Sequence, residues 1–136
     1  MISDIEVKDN LYRYIKGSVL EHEVTGVLSK TVRPKNSDKE DIVISVIANM
    51  SGQIQEVYAN VNIYVKDLSI TRDGQTQNEM NVTRCRELCR YAFDLLEVGS
   101  GDDFRFVIES QRVIPVDDIQ HHVINNRILY KQVNDN

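Results

Sequence analysis

Few residues in this chain could carry chemistry. The only cysteines are Cys85 and Cys89, and the histidines are His22, His121 and His122. Thiols four positions apart share one face of a helix, but a structural zinc wants four ligands. The adjacent His121 and His122 point to opposite faces of a strand and cannot share one metal. A disulfide across one helical turn is geometrically poor. Acidic pairs occur at Glu40-Asp41, Asp102-Asp103 and Asp117-Asp118, where turn chemistry beside strands is the ordinary reading. Gly99-Ser100-Gly101 follows a helix and precedes a strand, the reverse of a phosphate-cradling loop. No nucleophile elbow or His-Glu-x-x-His pair is present, and nothing in the sequence joins a histidine to a thiol. These absences predict a protein that is not an enzyme and needs no metal or cofactor. The matches to the glycosylation sequon at Asn49 and Asn81 read as chance.

Composition narrows the classes further. The 136 residues carry 16 Lys+Arg against 21 Asp+Glu, a net charge of −5. Tight nucleic-acid binding draws on released counterions and needs local positive charge. Aromatic residues make up 7% and Trp is absent, so a base-stacking platform is poorly supplied. Hydrophobic residues at 41% and charged residues at 27% are globular proportions. No apolar run reaches the roughly 18 residues of a membrane span. The N-terminus lacks the blocks of a signal peptide. The expectation is one cytoplasmic domain over residues 1–136.

The elements that must position any site follow from periodicity. Ser3 to Glu6 is a capping box. A helix is predicted over 4–16, with Ile5, Leu11, Tyr12, Ile15 and Val19 on one face and Gly17 ending it. A strand is predicted over 24–33, stopped by Pro34. Residues 41–48 are apolar on both faces, as in a central strand covered on two sides. Residues 53–65 form a long strand, bent or bulged, in a hairpin with it. Residues 67–80 read as a long polar loop containing Arg72, Asp73 and Gly74, the first place to look for partner contacts.

The clearest helix is 81–98. Val82, Cys85, Leu88, Cys89, Ala92, Phe93, Leu95 and Leu96 form its core arc, and Arg90 and Asp94 form an i,i+4 pair outside it. Strands at 104–113 and 123–133 flank a turn at 115–118. Phe104, Phe106 and Ile108 point inward from the first, and Ile124, Ile128 and Tyr130 share a face of the second. The fold class is therefore α+β, a mainly antiparallel sheet in the order α-β-β-β-α-β-β with helices packed on one face.

One strand face stands out. Val57, Ala59, Val61, Ile63 and Val65 alternate with Tyr58, Asn60, Asn62 and Tyr64. Four uncharged polar residues in successive outward positions suit a partner surface, since charge is depleted at interface cores and Tyr is enriched. Asn125, Asn126 and Arg127 extend that polarity on the last strand. A helix or loop covering the stripe is the competing reading.

Several phrases carry a family likeness: Leu11-Tyr12-Arg13-Tyr14-Ile15-Lys16-Gly17-Ser18, Arg33-Pro34 with Glu40-Asp41-Ile42-Val43-Ile44, Val61-Asn62-Ile63-Tyr64-Val65, and His122 through Tyr130. Together with the element order, they resemble small tail-completion or head–tail joining proteins of tailed bacteriophages and prophages, of the kind found in gut Bacteroidales genomes. The order is similar to that of tail terminators, which cap the tail tube as a hexameric ring. The resemblance implies a structural protein of virion assembly without catalytic residues. It also implies tail-tube or neck proteins as partners, and residence in the host cytoplasm and then the virion. An acidic conduit repels phosphates and lets DNA slide. Two other classes stay open at this point: a binding module or regulator using the Tyr/Asn strand, and a small enzyme with a dispersed site.

Overall fold

The computed structural model describes residues 1–133. Its elements are α1 (Asp4–Ile15), α2 (Val19–Glu23), β1 (Leu28–Ser29), β2 (Ile42–Met50), β3 (Ile54–Lys66), β4 (Leu68–Arg72), β5 (Gln75–Glu79), α3 (Val82–Leu96), β6 (Val98–Ser100), β7 (Phe104–Val116) and β8 (His121–Val133). Six strands form one sheet in the order β1-β2-β3-β8-β7-β6, antiparallel except for the short β1–β2 pairing. Among the described residues, β4 and β5 pair only with each other. The molecule is α+β with a mostly antiparallel sheet and three α-helices.

Alternation on the two longest central strands defines the core. Val57, Ala59, Val61, Ile63 and Val65 of β3 are buried, and the register sets Ile124, Ile128 and Tyr130 of β8 beside them. Buried residues of all three helices join the same cluster: Val7, Leu11 and Ile15 of α1, Leu20 of α2, and Cys85, Leu88, Ala92 and Leu96 of α3. Leu88 is fully buried against the sheet residues. Leu88→Ala should therefore lower unfolding free energy by about 2–5 kcal/mol, read from urea titrations.

α1 begins where expected. The Ser3 hydroxyl accepts from the Glu6 backbone N–H and donates to the Glu6 carboxylate. Its apolar face differs from the expected one: Val7, Leu11 and Ile15 are inside, whereas Ile5 is exposed. Gly17, at φ +80°, ends the helix, so Val19 lies beyond it. Val19 instead opens α2, which Ser18 caps.

That second helix ends just before the strand expected over 24–33, of which only Leu28–Ser29 is paired. The backbone N–H groups of Gly26 and Val27 bond to the Glu40 carbonyl and the Asp41 carboxylate instead. Gly26 permits this approach, because a Cβ there would lie 2.1 Å from Asp41 Oδ1 and 2.6 Å from the Glu40 carbonyl oxygen.

β2 is not covered on both faces. Ile42 and Ile44 are buried, but the strand emerges toward Met50, and the bulge lies in β2 at Val46/Ala48 rather than in β3. In α3, Val82 and Phe93 are exposed instead of joining the core arc. Arg90 and Asp94 make no ion pair among the described residues. The charged anchor of α3 is Arg84, whose Nε and Nη2 donate to the two Glu40 oxygens at 2.7 and 2.8 Å.

β6 pairs with β7 where only a terminating glycine turn was expected. β7 continues through Val116, and the reversal falls at Asp117–Gln120, with Gln120 left-handed at φ 56°.

Candidate functional site

The register of β3, β8 and β7 shows what surrounds Tyr58, Asn60, Asn62 and Tyr64 on the face turned away from the core. Ala48, Tyr58, Leu129, Val107 and Val98 align across the sheet as one row. Val107 and Val98 at its far end are 45% and 66% exposed. The next rows set Asn60 beside Arg127 and Asn62 beside Asn125. Asn125 donates its side-chain amide to Asn62 at 2.8 Å, and the Arg127 guanidinium lies 5.0 Å from the Tyr58 ring centre. The face therefore presents a row of mostly apolar side chains flanked by paired amides and a stacked arginine.

Three of the residues thought to extend this stripe need separate treatment. Asn125 and Arg127 lie on it. Asn126 does not, because alternation turns it to the core side, where it is fully buried. There it donates to the Val61 carbonyl at 3.0 Å and accepts from Gln111 at 2.8 Å. Gln111 also donates to the Cys89 carbonyl, so this amide chain fastens α3 to the sheet.

A loop covers one end of the face. The Arg33 guanidinium stacks over Tyr64 at 4.4 Å, while its Nε donates to Asp41 Oδ2 at 2.8 Å. The Ser37 hydroxyl donates to the same oxygen at 2.6 Å, and the Val27 N–H donates to Oδ1 at 2.9 Å. Asp41 is therefore a buried staple for residues 27–41, more than the turn residue its sequence neighbourhood suggested. Beyond Tyr64, the same loop lines a cavity with Ile119 and His121. His121 is buried, with Nδ1 2.6 Å from the Ile119 carbonyl. Tyr64 is thus held under this loop, whereas among the described residues Tyr58 is stacked only by Arg127 of the neighbouring strand.

The segment at 67–80 is a β-hairpin, not an irregular loop. Asp73 and Gly74 have φ of 52° and 76°, the two left-handed residues of a type I′ turn. Arg72 pairs with Glu79 across the strands, and the Thr71 and Thr76 hydroxyls bond each other. Asp67 anchors the base. Its N–H donates to the Gln120 carbonyl at 3.0 Å, and its carboxylate sits 2.6 Å from His122 Nδ1.

The His122–Asp67 pair has the form of an acid–base dyad, which sequence spacing of 55 residues hid. The nearby Cys85 thiol is buried, and that burial, aided by Cys89, Asp67 and Glu40, pushes its pKa up to about 11. A thiol held protonated is a poor nucleophile. The pair joins the base of the arm to β8.

Cys89 differs from Cys85 in being half-buried, on the wall of a shallow cleft between α3 and Gln111. Burial raises its pKa as well. In native protein at pH 7.5, maleimide should label Cys89 slowly and leave Cys85 unmodified until denaturant is added, as read by intact mass.

The two histidines turn to opposite faces, as the strand period requires. Asp102, Asp103, Asp117 and Asp118 are exposed in turns. Among the described residues, no three His, Cys, Asp or Glu side chains converge as a metal site, and no helix is long and apolar enough to cross a membrane. Compared with protein-family models and with curated proteins, the chain matches none.

Proposed function

We propose that this chain is a structural subunit of virion assembly in a tailed phage or prophage. In this reading it is a tail-terminator or head–tail joining protein that self-associates into a ring, hexameric by resemblance, on tail-tube or neck proteins. It works in the host cytoplasm and then in the virion. The helices all lie on the core side of the sheet, and the far side is given over to assembly.

The observation that carries the reading is the row Ala48–Tyr58–Leu129–Val107–Val98, apolar and uncovered at its outer end. A specific interface buries about 800 Å² per partner, and a face of five strands is wide enough to supply it. Tyr58, Asn60 and Asn62 border the row, and Arg72, Asp73 and Gly74 tip the adjoining arm. Tyr64 contributes from beneath Arg33.

Charge supports a conduit over a grip. Each copy brings −5, so a ring accumulates negative charge and holds no duplex tightly. Like charges on neighbouring copies also make assembly stronger as salt rises through the screening range.

The test is mass photometry and negative-stain imaging of purified protein across salt, with a duplex-DNA titration alongside. Closed oligomers that strengthen with salt and bind DNA only weakly are expected. Sub-micromolar duplex binding in physiological salt would overturn the reading.

A further inference from the structure

The β4–β5 arm stands apart from the six-stranded sheet. A lone two-stranded hairpin is marginal in water. This one nevertheless has a tight Asp73-Gly74 turn, the Arg72–Glu79 ion pair, and a base clamped through Asp67 to Gln120 and His122. At its other end, Asn81 caps α3. Both strands remain exposed along nearly their whole length and, among the described residues, pair only with each other. From Gly74 to Asn78 the outgoing strand is uncharged. One arm face carries Leu68 and Ile70, the other Ser69, Thr71, Thr76 and Asn78.

A matching vacancy exists elsewhere in the sheet. β1 pairs with β2 only at Ile42 and Val43, so no strand among the described residues covers the outer edge of β2 from Ile44 to Met50. Free edges are normally blunted by charge or proline. Here no charged residue occurs between Ile42 and Gln55, and no proline. Ile47 and Met50 are 49% and 47% exposed on that edge, and Ile54 just beyond it is 49% exposed. The opposite side of the sheet is protected: β7 carries Glu109, Arg112 and Pro115, and β6 covers its start.

We propose that the arm of one copy adds as a strand to the free β2 edge of the next copy, with β5 as the pairing strand. This deepens the ring reading and rests on it. The five residues of β5 fit within the seven-residue open edge, and the uncharged stretch Gln75–Asn78 can pair with that uncharged edge without desolvating ions. Donor and acceptor are different surfaces, so the contact is head-to-tail, the kind that builds a ring when the rotation between copies closes. The acceptor edge adjoins Ala48 and Tyr58, the end of the apolar row nearest β2.

Two variants test this. One replaces residues 69–78 by Gly-Gly and loses the donor. The other carries Ile47→Lys and Met50→Lys and loses the acceptor. Both are judged folded by circular dichroism and melting before use. Each alone is expected to be monomeric at concentrations where wild type assembles, a loss of at least about 30-fold in apparent affinity. Mixed, they should give a one-to-one heterodimer, because one competent donor and one competent acceptor remain. A mixture that stays monomeric would overturn the proposal. So would two variants that assemble like wild type; if Val98→Asp/Val107→Asp still blocks assembly in that case, the ring reading survives without the arm. Failure of wild type itself to assemble would remove both.

Discussion

Asp41→Ala is expected to cost about 3–5 kcal/mol, the range for stranding one partner of a buried ion pair. Asp41 is 1% exposed and takes three donated hydrogen bonds, from Arg33, Ser37 and the Val27 backbone. Its loss leaves the Arg33 charge and the Val27 N–H unpaired beneath the 33–39 loop, and it releases the guanidinium from Tyr64. A domain with a typical 5–15 kcal/mol of stability would lose a large share of it. Urea unfolding of the variant against wild type measures the loss; a difference under about 1 kcal/mol would mean that the carboxylate is not the staple of this loop.

The same group makes stability depend on pH in a definite direction. Burial alone would raise the Asp41 pKa, but the Ser37 hydroxyl, the Arg33 guanidinium and the Val27 amide outweigh it and hold the carboxyl below its ordinary value. A folded pKa below the unfolded one stabilises the protein fully above the unfolded value of about 3.9. That stabilisation is lost as pH falls through the lower folded value. The urea midpoint of wild type should therefore drop steeply in the acid range. Asp41→Asn should start lower at pH 7 and converge with wild type at low pH.

How much of this was readable from the residues depends on the range of the forces involved. The alternation of Val57 to Val65 against Tyr58 to Tyr64 is local and period two, so β3 and its faces were legible. So were α3, from its broad apolar arc, and the Ser3 cap. Residues 24–33 look β-branched enough for a strand, but Ser18 caps a short helix first. Asp41, fourteen residues away, then takes the amide that a ladder would have used. The arm had a usable signal in Asp73-Gly74 between Leu68/Ile70 and Thr76, since Asp-Gly is a strong hairpin dipeptide. The polar composition of 67–80 masked it.

The site was legible only as a single strand. Leu129, Val107 and Val98 join Tyr58 through register, which no local pattern encodes. Asn126 went astray for a similar reason: three polar residues in a row look like one surface, yet the middle one faces the core and needs Val61 and Gln111 to satisfy it. The His122–Asp67 clasp and the Glu40–Arg84 pair likewise depend on chain separation that spacing cannot show.

The largest effect on assembly is expected from Val98→Asp/Val107→Asp. Both side chains are exposed, so stability should change by no more than about 0.5 kcal/mol per site. Two carboxylates in the apolar row would have to be desolvated in every contact. This design is cleaner than a change at Tyr64, which would also disturb the stacked Arg33.

The most direct measurement is the assembly mass of wild type and this double variant, side by side, by light scattering over a concentration series at 0.15–0.5 M salt. Wild type should form closed oligomers. The variant should remain monomeric while still unfolding in one cooperative transition, a weakening of assembly by more than about 30-fold. A folded double variant that assembles as wild type does, or a wild type that stays monomeric across the whole series, would contradict the assignment of this sheet face to ring assembly.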